Sequence, residues 1–200
     1  TLNAGVDGEN VAVGYRAGKA MTVGQMNTLV GTQAGDALTD AHYNTVVGRN
    51  AMSNDTKGSR AVAIGYGALV NQNFTSSTDN YNIGVGFNAG EQITTGTHNT
   101  FMGGKAGDAI TTSNSNTAIG YEALTAETSS NGNVAIGEGA LKVQNVGGSG
   151  DARNTAVGLL AGAAITTGQR NVLIGGLAGD SATSIDDCVI IGNGAGGNAT

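Results

Sequence analysis

Short apolar triplets recur along the chain, each closed by a glycine. The residue before that glycine is apolar in all eleven copies: Val13, Val30, Val47, Ile64, Val85, Met102, Ile119, Ile136, Val157, Ile174 and Ile191. Two places earlier a β-branched residue stands every time, as Val11, Thr28, Thr45, Val62, Ile83, Thr100, Thr117, Val134, Thr155, Val172 and Val189. Residues two apart share one face of a strand, and β-branching suits that pleated setting. The middle residue, such as Leu29, Val46, Phe101 or Leu173, points to the opposite face and is apolar or small. Each triplet is therefore predicted to be a short β-strand, apolar on both sides, which is the pattern of a strand covered on both faces.

The closing glycines are Gly14, Gly31, Gly48, Gly65, Gly86, Gly103, Gly120, Gly137, Gly158, Gly175 and Gly192, so the repeat is 17 residues long except for two steps of 21. A period this short makes each unit one turn of a stacked, quasi-one-dimensional structure. The expected fold is all-β: a β-solenoid, either β-roll or β-helix, of about eleven coils, running as one repetitive segment through residues 1–200 without a domain break. Thr1 to Glu9 fit the unit poorly and read as the tail of a preceding one, so the chain is expected to be a fragment of a longer protein.

Asparagine stands four places before the glycine in nine of the eleven units, with Ala61 and Cys188 as the exceptions. Asparagine bonds to nearby backbone and, stacked in register, forms amide ladders, so a structural role is expected for it. Three places after the glycine comes alanine without exception, from Ala17 to Ala195, which marks a site with room for one methyl. The next residue is glycine in seven units but Met52, Leu69, Leu124 or Leu141 in four. Glycine units carry an apolar residue three places later, as Met21, Leu38, Ile93, Ile110 and Ile165, with Ala182 and Ala199 as weaker cases; the other units carry Asp55, Gln72, Glu127 and Gln144 there. One large apolar group per coil, early or late, is what a core of constant volume requires. Thr94-Thr95-Gly96, Thr111-Thr112 and Thr166-Thr167-Gly168 read as a second strand and return turn.

Both long steps follow a fourth coil, so Gly14, Gly86 and Gly158 are 72 residues apart and the coil classes repeat in step with them. The additional residues fall in Val70 to Tyr81 and Val143 to Arg153, segments rich in Asn, Ser, Asp and Gly. Solenoid insertions become loops on one face, often the binding face. Phe74, Tyr81, Asn145 and Arg153 are the candidate receptor contacts on these loops. Four rungs of about 4.8 Å set the two loops about 19 Å apart.

A 17-residue coil is thin and encloses only one of the two apolar strand faces. The other is expected to lie against a second copy of the chain, most simply in a three-fold bundle; the alternative is lateral packing within a longer chain. Composition agrees with such an ordered rod. Its 35 glycines would suit a disordered chain, but proline is absent and apolar residues hold fixed places. A net charge of −6 with 12% charged residues argues against nucleic acid, which needs a basic stripe. No apolar run approaches the roughly 18 residues of a membrane span. Cys188 is alone, which excludes an intrachain disulfide framework.

The phrase Asn-Thr-Ala-Val/Ile-Gly-x-x-Ala-Leu/Gly, seen at Asn154 to Gly162, resembles repeats of phage tail-fibre proteins, particularly long fibres ending in a self-cleaving intramolecular chaperone domain. More distantly it is similar to the heads of trimeric autotransporter adhesins, of which Asn133-Val134-Ala135-Ile136-Gly137 is the nearest echo. The resemblance runs from Asn10 to Gly196. It implies a homotrimeric, elongated shaft that spaces or presents a receptor-binding surface to a host cell, located in a virion tail fibre. The alternative is a bacterial cell-surface adhesin or extracellular filament, with a surface glycan or protein as partner.

No catalytic, cofactor or metal site is expected. His42 and His98 precede different coils and read as exposed turn residues. Gly147-Gly148-Ser149-Gly150-Asp151 is a single echo of the calcium-binding nonapeptide, and Gly103-Gly104-Lys105 lacks the strand-loop-helix context of a phosphate loop. Glu122, Glu127, Glu138, Asp186 and Asp187 read as scattered solvated carboxylates rather than a hydrolytic pair. An ice-binding surface would need an unbroken threonine array, and the Thr-Thr places lapse in the Met and Leu coils.

Overall fold

The computed structural model describes residues 8–148 and 150–197; the expected leading tail before residue 8, Ser149 and Ala199 lie outside them. In chain order the strands are β1 (Val11–Val13), β2 (Thr28–Val30), β3 (Thr45–Val47), β4 (Gly58–Ser59), β5 (Val62–Ile64), β6 (Thr78–Asp79), β7 (Ile83–Val85), β8 (Thr100–Met102), β9 (Thr117–Ile119), β10 (Val134–Ile136), β11 (Thr155–Val157), β12 (Val172–Ile174) and β13 (Val189–Ile191). Every predicted triplet is a strand. The eleven triplets form one parallel sheet in sequence order, while β4 and β6 pair separately at the first insertion. Each residue pairs with its counterpart one coil on, as Thr28 with Thr45 and Leu29 with Val46. The 21-residue steps keep that register, because Val62 pairs with Ile83 and Val134 with Thr155. The chain is thus a β-solenoid of about eleven coils, as the repeat predicts.

The middle residue of each inner triplet points into the coil, so Leu29, Val46, Phe101 and Leu173 are fully buried. The alanine column, for example Ala34, Ala51 and Ala106, packs beside them. The closing glycine is required on two counts. At Gly31 φ is 138°, and a Cβ would stand 2.5 Å from the carbonyl oxygen of Gly48, so the coils stack at this corner through bare backbone.

The two coil classes solve one packing problem. Gly35 and Met52 make the same left-handed turn, with φ of 54° and 46°. A Cβ on Gly35 would meet Leu38 at 2.7 Å, so the turn residue and the residue three places on compete for one slot. In the other class the turn residue fills that slot itself. A left-handed conformation costs about 1–2 kcal/mol outside glycine. Burying a Leu or Met side chain contributes about 1.5–3 kcal/mol and offsets it.

The polar partners Asp55, Gln72, Glu127 and Gln144 are inside as well, each fully buried. Glu127 therefore departs from the solvated place expected for it. Its Oε1 accepts the backbone N–H groups of Thr128, Ser129 and Ser130 at 2.8, 2.9 and 2.9 Å, and Oε2 accepts from Gln144 at 3.0 Å. Gln144 in turn accepts from Asn154 at 3.0 Å. One super-repeat earlier Asp55, Gln72 and Asn82 make the same chain, with Gln72 donating to Asp55 at 2.6 Å and Asn82 to Gln72 at 2.9 Å. Buried carboxylates persist because each oxygen is bonded. Both chains lie beside an insertion, but the N–H groups come mainly from the turn that follows each carboxylate, and only Asp55 takes one from the insertion, that of Phe74 at 2.9 Å.

The asparagine column forms the expected ladder. Asn27 Oδ1 accepts the backbone N–H of Asn44 at 3.0 Å, and its Nδ2 donates across its own coil to the Ala41 carbonyl at 2.7 Å. Ala61 breaks the column, but Asn80 from the insertion takes over. Asn80 Oδ1 accepts the Asn82 N–H at 2.9 Å, and Nδ2 donates to the Ser59 carbonyl at 2.8 Å. Seventy-two residues later the pair is exchanged: Asn133 stands where Ala61 was and Ala152 where Asn80 was. Asn133 Oδ1 then accepts the Asn154 N–H at 3.1 Å.

The Thr-Thr segments do not form the expected second strand. They are bends, bracketed by left-handed residues such as Gly90 and His98, with φ of 61° and 60°. Successive coils are still tied there by bonds such as Thr94 N–H and Oγ1 to the Thr111 carbonyl, at 2.8 and 3.1 Å.

Candidate interaction surface

With the middle residues turned inward, the β-branched and apolar residues on either side of them face out. In the inner rungs these outer rows are half-buried, and Ile64, Met102 and Ile174 reach 37–41% exposure. The two rows hold 22 places, of which 17 are Val, Ile or Met, five are Thr and none is charged. Charges stand elsewhere on the coil, for instance at Lys19, Asp36, Glu91, Asp108 and Lys142 on the turn after the alanine column.

Two further rows flank this sheet. The leading flank, five places before each glycine, reads Met26, Tyr43, Arg60, Tyr81 and His98 over five successive rungs. All five take left-handed backbone, with φ between 52° and 64°. Arg60 lies over the Tyr43 ring at 4.8 Å and over the Tyr81 ring at 5.8 Å, and Tyr81 stacks on His98 at 5.3 Å. Asp79 from the insertion binds Arg60 Nε at 2.9 Å, and that hydrogen bond raises the guanidinium's affinity for its proton. The trailing flank, just after the glycine, carries Arg49, Tyr66 and Phe87 on the third to fifth rungs. Arg49 stands 5.8 Å over Tyr66, which stacks on Phe87 at 5.4 Å. The rings of Tyr43, Tyr66, Tyr81 and Phe87 are all about half exposed.

The four loop candidates are not brought together. Phe74 is a correction: it is 5% exposed, its ring packs against the Gly58 backbone, and its N–H donates to Asp55 at 2.9 Å, so it is part of the insertion's own small core. Tyr81 and Arg153 are exposed members of the leading flank, four rungs apart. Arg153 binds Asp151 at 2.5 Å, and the Asp151 carboxyl is held below its ordinary range by Asn131 first and Arg153 second. Asn145 is exposed and caps its own turn by accepting the Gly147 N–H at 3.2 Å. His42 pairs with Asp40 at 3.1 Å, and among the described residues no three His, Cys, Asp or Glu side chains group as a metal site. The stacked flanks escaped the sequence reading, although the repeat itself puts Tyr43, Arg60 and Tyr81 at one place of the unit.

No family model matches the chain, and neither a curated protein nor a solved structure matches it. Chemically the surface is a flat, uncharged sheet with rigid rows of Tyr and Arg along its edges. Those residue types dominate the energetics of protein contacts.

Proposed function

We propose that this chain is a length of fibre shaft, a rod that associates side by side with copies of itself and spaces or presents a host-contact surface in a phage tail fibre. The carrying observation is the uncharged outward sheet. Solvated sheet faces alternate toward polar residues, and a long apolar patch on a soluble chain marks an interaction site. Ten steps of about 4.8 Å by six residues of about 3.3 Å, the uncharged triplet together with the places flanking it, make a face on the order of 900 Å². That reaches the roughly 800 Å² per partner of a standard stable interface. Three copies around an axis parallel to the rod cover all such faces at once.

Assignment to a virus rests on the tail-fibre resemblance of the repeated phrase. The Asn133 to Gly137 phrase favours the second reading, a bacterial surface adhesin built from the same unit. Mass in solution tests the assembly: a multiple of the 19.7 kDa chain is expected, and a single-chain mass at micromolar concentration removes the shaft reading. Attachment of the assembled rod to host cells then separates a contact surface from a plain spacer.

A further inference from the structure

We infer that the two flanking rows are the two halves of one seam, the leading flank of each copy lying level with the trailing flank of its neighbour, in a parallel ring without axial offset. This rests on the self-association proposed above and adds its geometry and its anchor residues. The occupant of the seam is a second copy of this chain.

Three observations lead there. First, the outward sheet is bordered by one row on each side, so copies arranged about an axis parallel to the rod bring unlike rows together. Such heterologous contacts close into a ring only when neighbours sit at equal height. Second, three of the four stacked side chains of the leading row share their rungs with the three of the trailing row, His98 on the sixth rung facing Gly104. On the third rung Tyr43 leads and Arg49 trails; on the fourth Arg60 leads and Tyr66 trails; on the fifth Tyr81 leads and Phe87 trails. At zero offset the guanidinium groups of Arg49 and Arg60 therefore each lie level with a neighbour's tyrosine, and the fifth rung sets ring against ring. Guanidinium over an aromatic face is attractive by about 0.5–2 kcal/mol, more as water is removed. Third, two competing arrangements bring like charges together. A one-rung slip that sets the fourth leading place against the third trailing one puts Arg60 on Arg49, and a centred antiparallel pair joined through the leading flanks sets Glu9 against Asp187; the opposite slip pairs no like charges but leaves the ring open. At zero offset none of the eleven rungs pairs like charges.

The rows are also already rigid. Arg60 is held by Asp79 and sandwiched between Tyr43 and Tyr81, so little side-chain freedom remains to be lost on docking.

Disulfide trapping tests the seam. Tyr43→Cys with Arg49→Cys is placed in a Cys188→Ser chain, and Tyr81→Cys with Phe87→Cys serves as a second, independent rung. Within one chain these partners stand on opposite sides of a strand, six residues apart along nearly extended backbone, beyond the roughly 7 Å reach of a disulfide. All four positions are outward, so folding is not at stake. Oxidation is expected to convert both same-rung pairs into linked closed multimers. The two-rung mismatch Tyr43→Cys with Phe87→Cys, offset by about 10 Å, should give at least tenfold less. Linking by single-cysteine chains, or equal linking of the mismatched pair, overturns the seam. No linking in a chain whose solution mass is still multimeric overturns the seam alone, whereas a single-chain mass removes the shaft reading with it.

Discussion

Replacing Asn80 by alanine should be costly by itself and nearly harmless when Ala61 becomes asparagine in the same chain. Asn80 Oδ1 is the acceptor for the Asn82 N–H, and Asn82 is fully buried. An orphaned buried donor costs about 1–3 kcal/mol, and losing the second bond, from Asn80 Nδ2 to the Ser59 carbonyl, about 0.5–1.5 more. The single substitution should therefore cost about 2–4 kcal/mol. Ala61→Asn alone forces an amide into a fully buried methyl site that Asn80 already serves, at about 1–3 kcal/mol. The double variant recreates the arrangement of Asn133 with Ala152, in which one amide bridges the same gap. It should return to within about 1 kcal/mol of the parent, giving a coupling of several kcal/mol between the two positions. Solenoids unfold piecewise, so urea midpoints need a local partner measurement. Hydrogen exchange at the Asn82 amide supplies it: protection should fall in Asn80→Ala and recover in the double variant. Costs that simply add would refute the exchange of roles.

Val85→Lys places a charge on the outward sheet; a lone rod should tolerate it, so the circular dichroism should persist while the solution mass falls to one chain, and an unchanged mass would contradict coverage of that face. Gly120→Ala should cost roughly 2–4 kcal/mol, from backbone strain of about 1–3 kcal/mol plus a Cβ 2.6 Å from the Gly137 carbonyl. Gly104→Ala, whose Cβ would meet only the Tyr121 ring at 3.4 Å, should stay within about 1 kcal/mol in the same urea titration. Acid should weaken the rod: Arg170 binds both oxygens of Asp187 at 2.7 and 2.8 Å and depresses that carboxyl, as Asn131 and Arg153 do for Asp151. A carboxyl depressed in the folded state stabilises above its unfolded value and loses that contribution as pH falls through its folded one. Thermal midpoints should therefore hold from pH 7 to about 5 and decline below about 4. Salt should shrink the decline, because both pairs are exposed.

Much of the rod was legible because a repeat reads the same constraint many times over. Eleven β-branched residues before eleven glycines leave no other reading than stacked strands, and the slot shared by Gly35 with Leu38, or filled by Met52, appears in sequence as an either-or of apolar residues. What escaped was polar and buried. Glu127 looks like any surface carboxylate, since sequence shows its charge but not the three backbone N–H groups that turn toward it. Phe74 looked like a loop ornament for the corresponding reason: an insertion of four residues is long enough to fold a side chain beneath itself. The second strand failed because the left-handed turns on either side of the Thr-Thr places set the arm's direction, and β-propensity cannot overrule them.

Comparison of the super-repeats separates what the coil needs from what it merely permits. Where a backbone group must be satisfied, the solution is kept even when the residue moves: the ladder amide passes from Asn80 to Asn133. The insertion's aspartate likewise keeps an arginine, Arg60 for Asp79 and Arg153 for Asp151, drawn from opposite neighbouring rungs. The leading flank follows no such rule. Tyr43, Arg60, Tyr81 and His98 become Ser115, Gly132, Arg153 and Arg170 seventy-two residues on, with the same left-handed backbone at every one of these places. The stack of rings is therefore not a requirement of folding. A rod whose backbone tolerates Ser and Gly there, yet carries half-exposed tyrosines around a clamped arginine on the earlier rungs, concentrates the aromatic residues of this row in that half, and the proposed seam would find its anchors there rather than along the whole length.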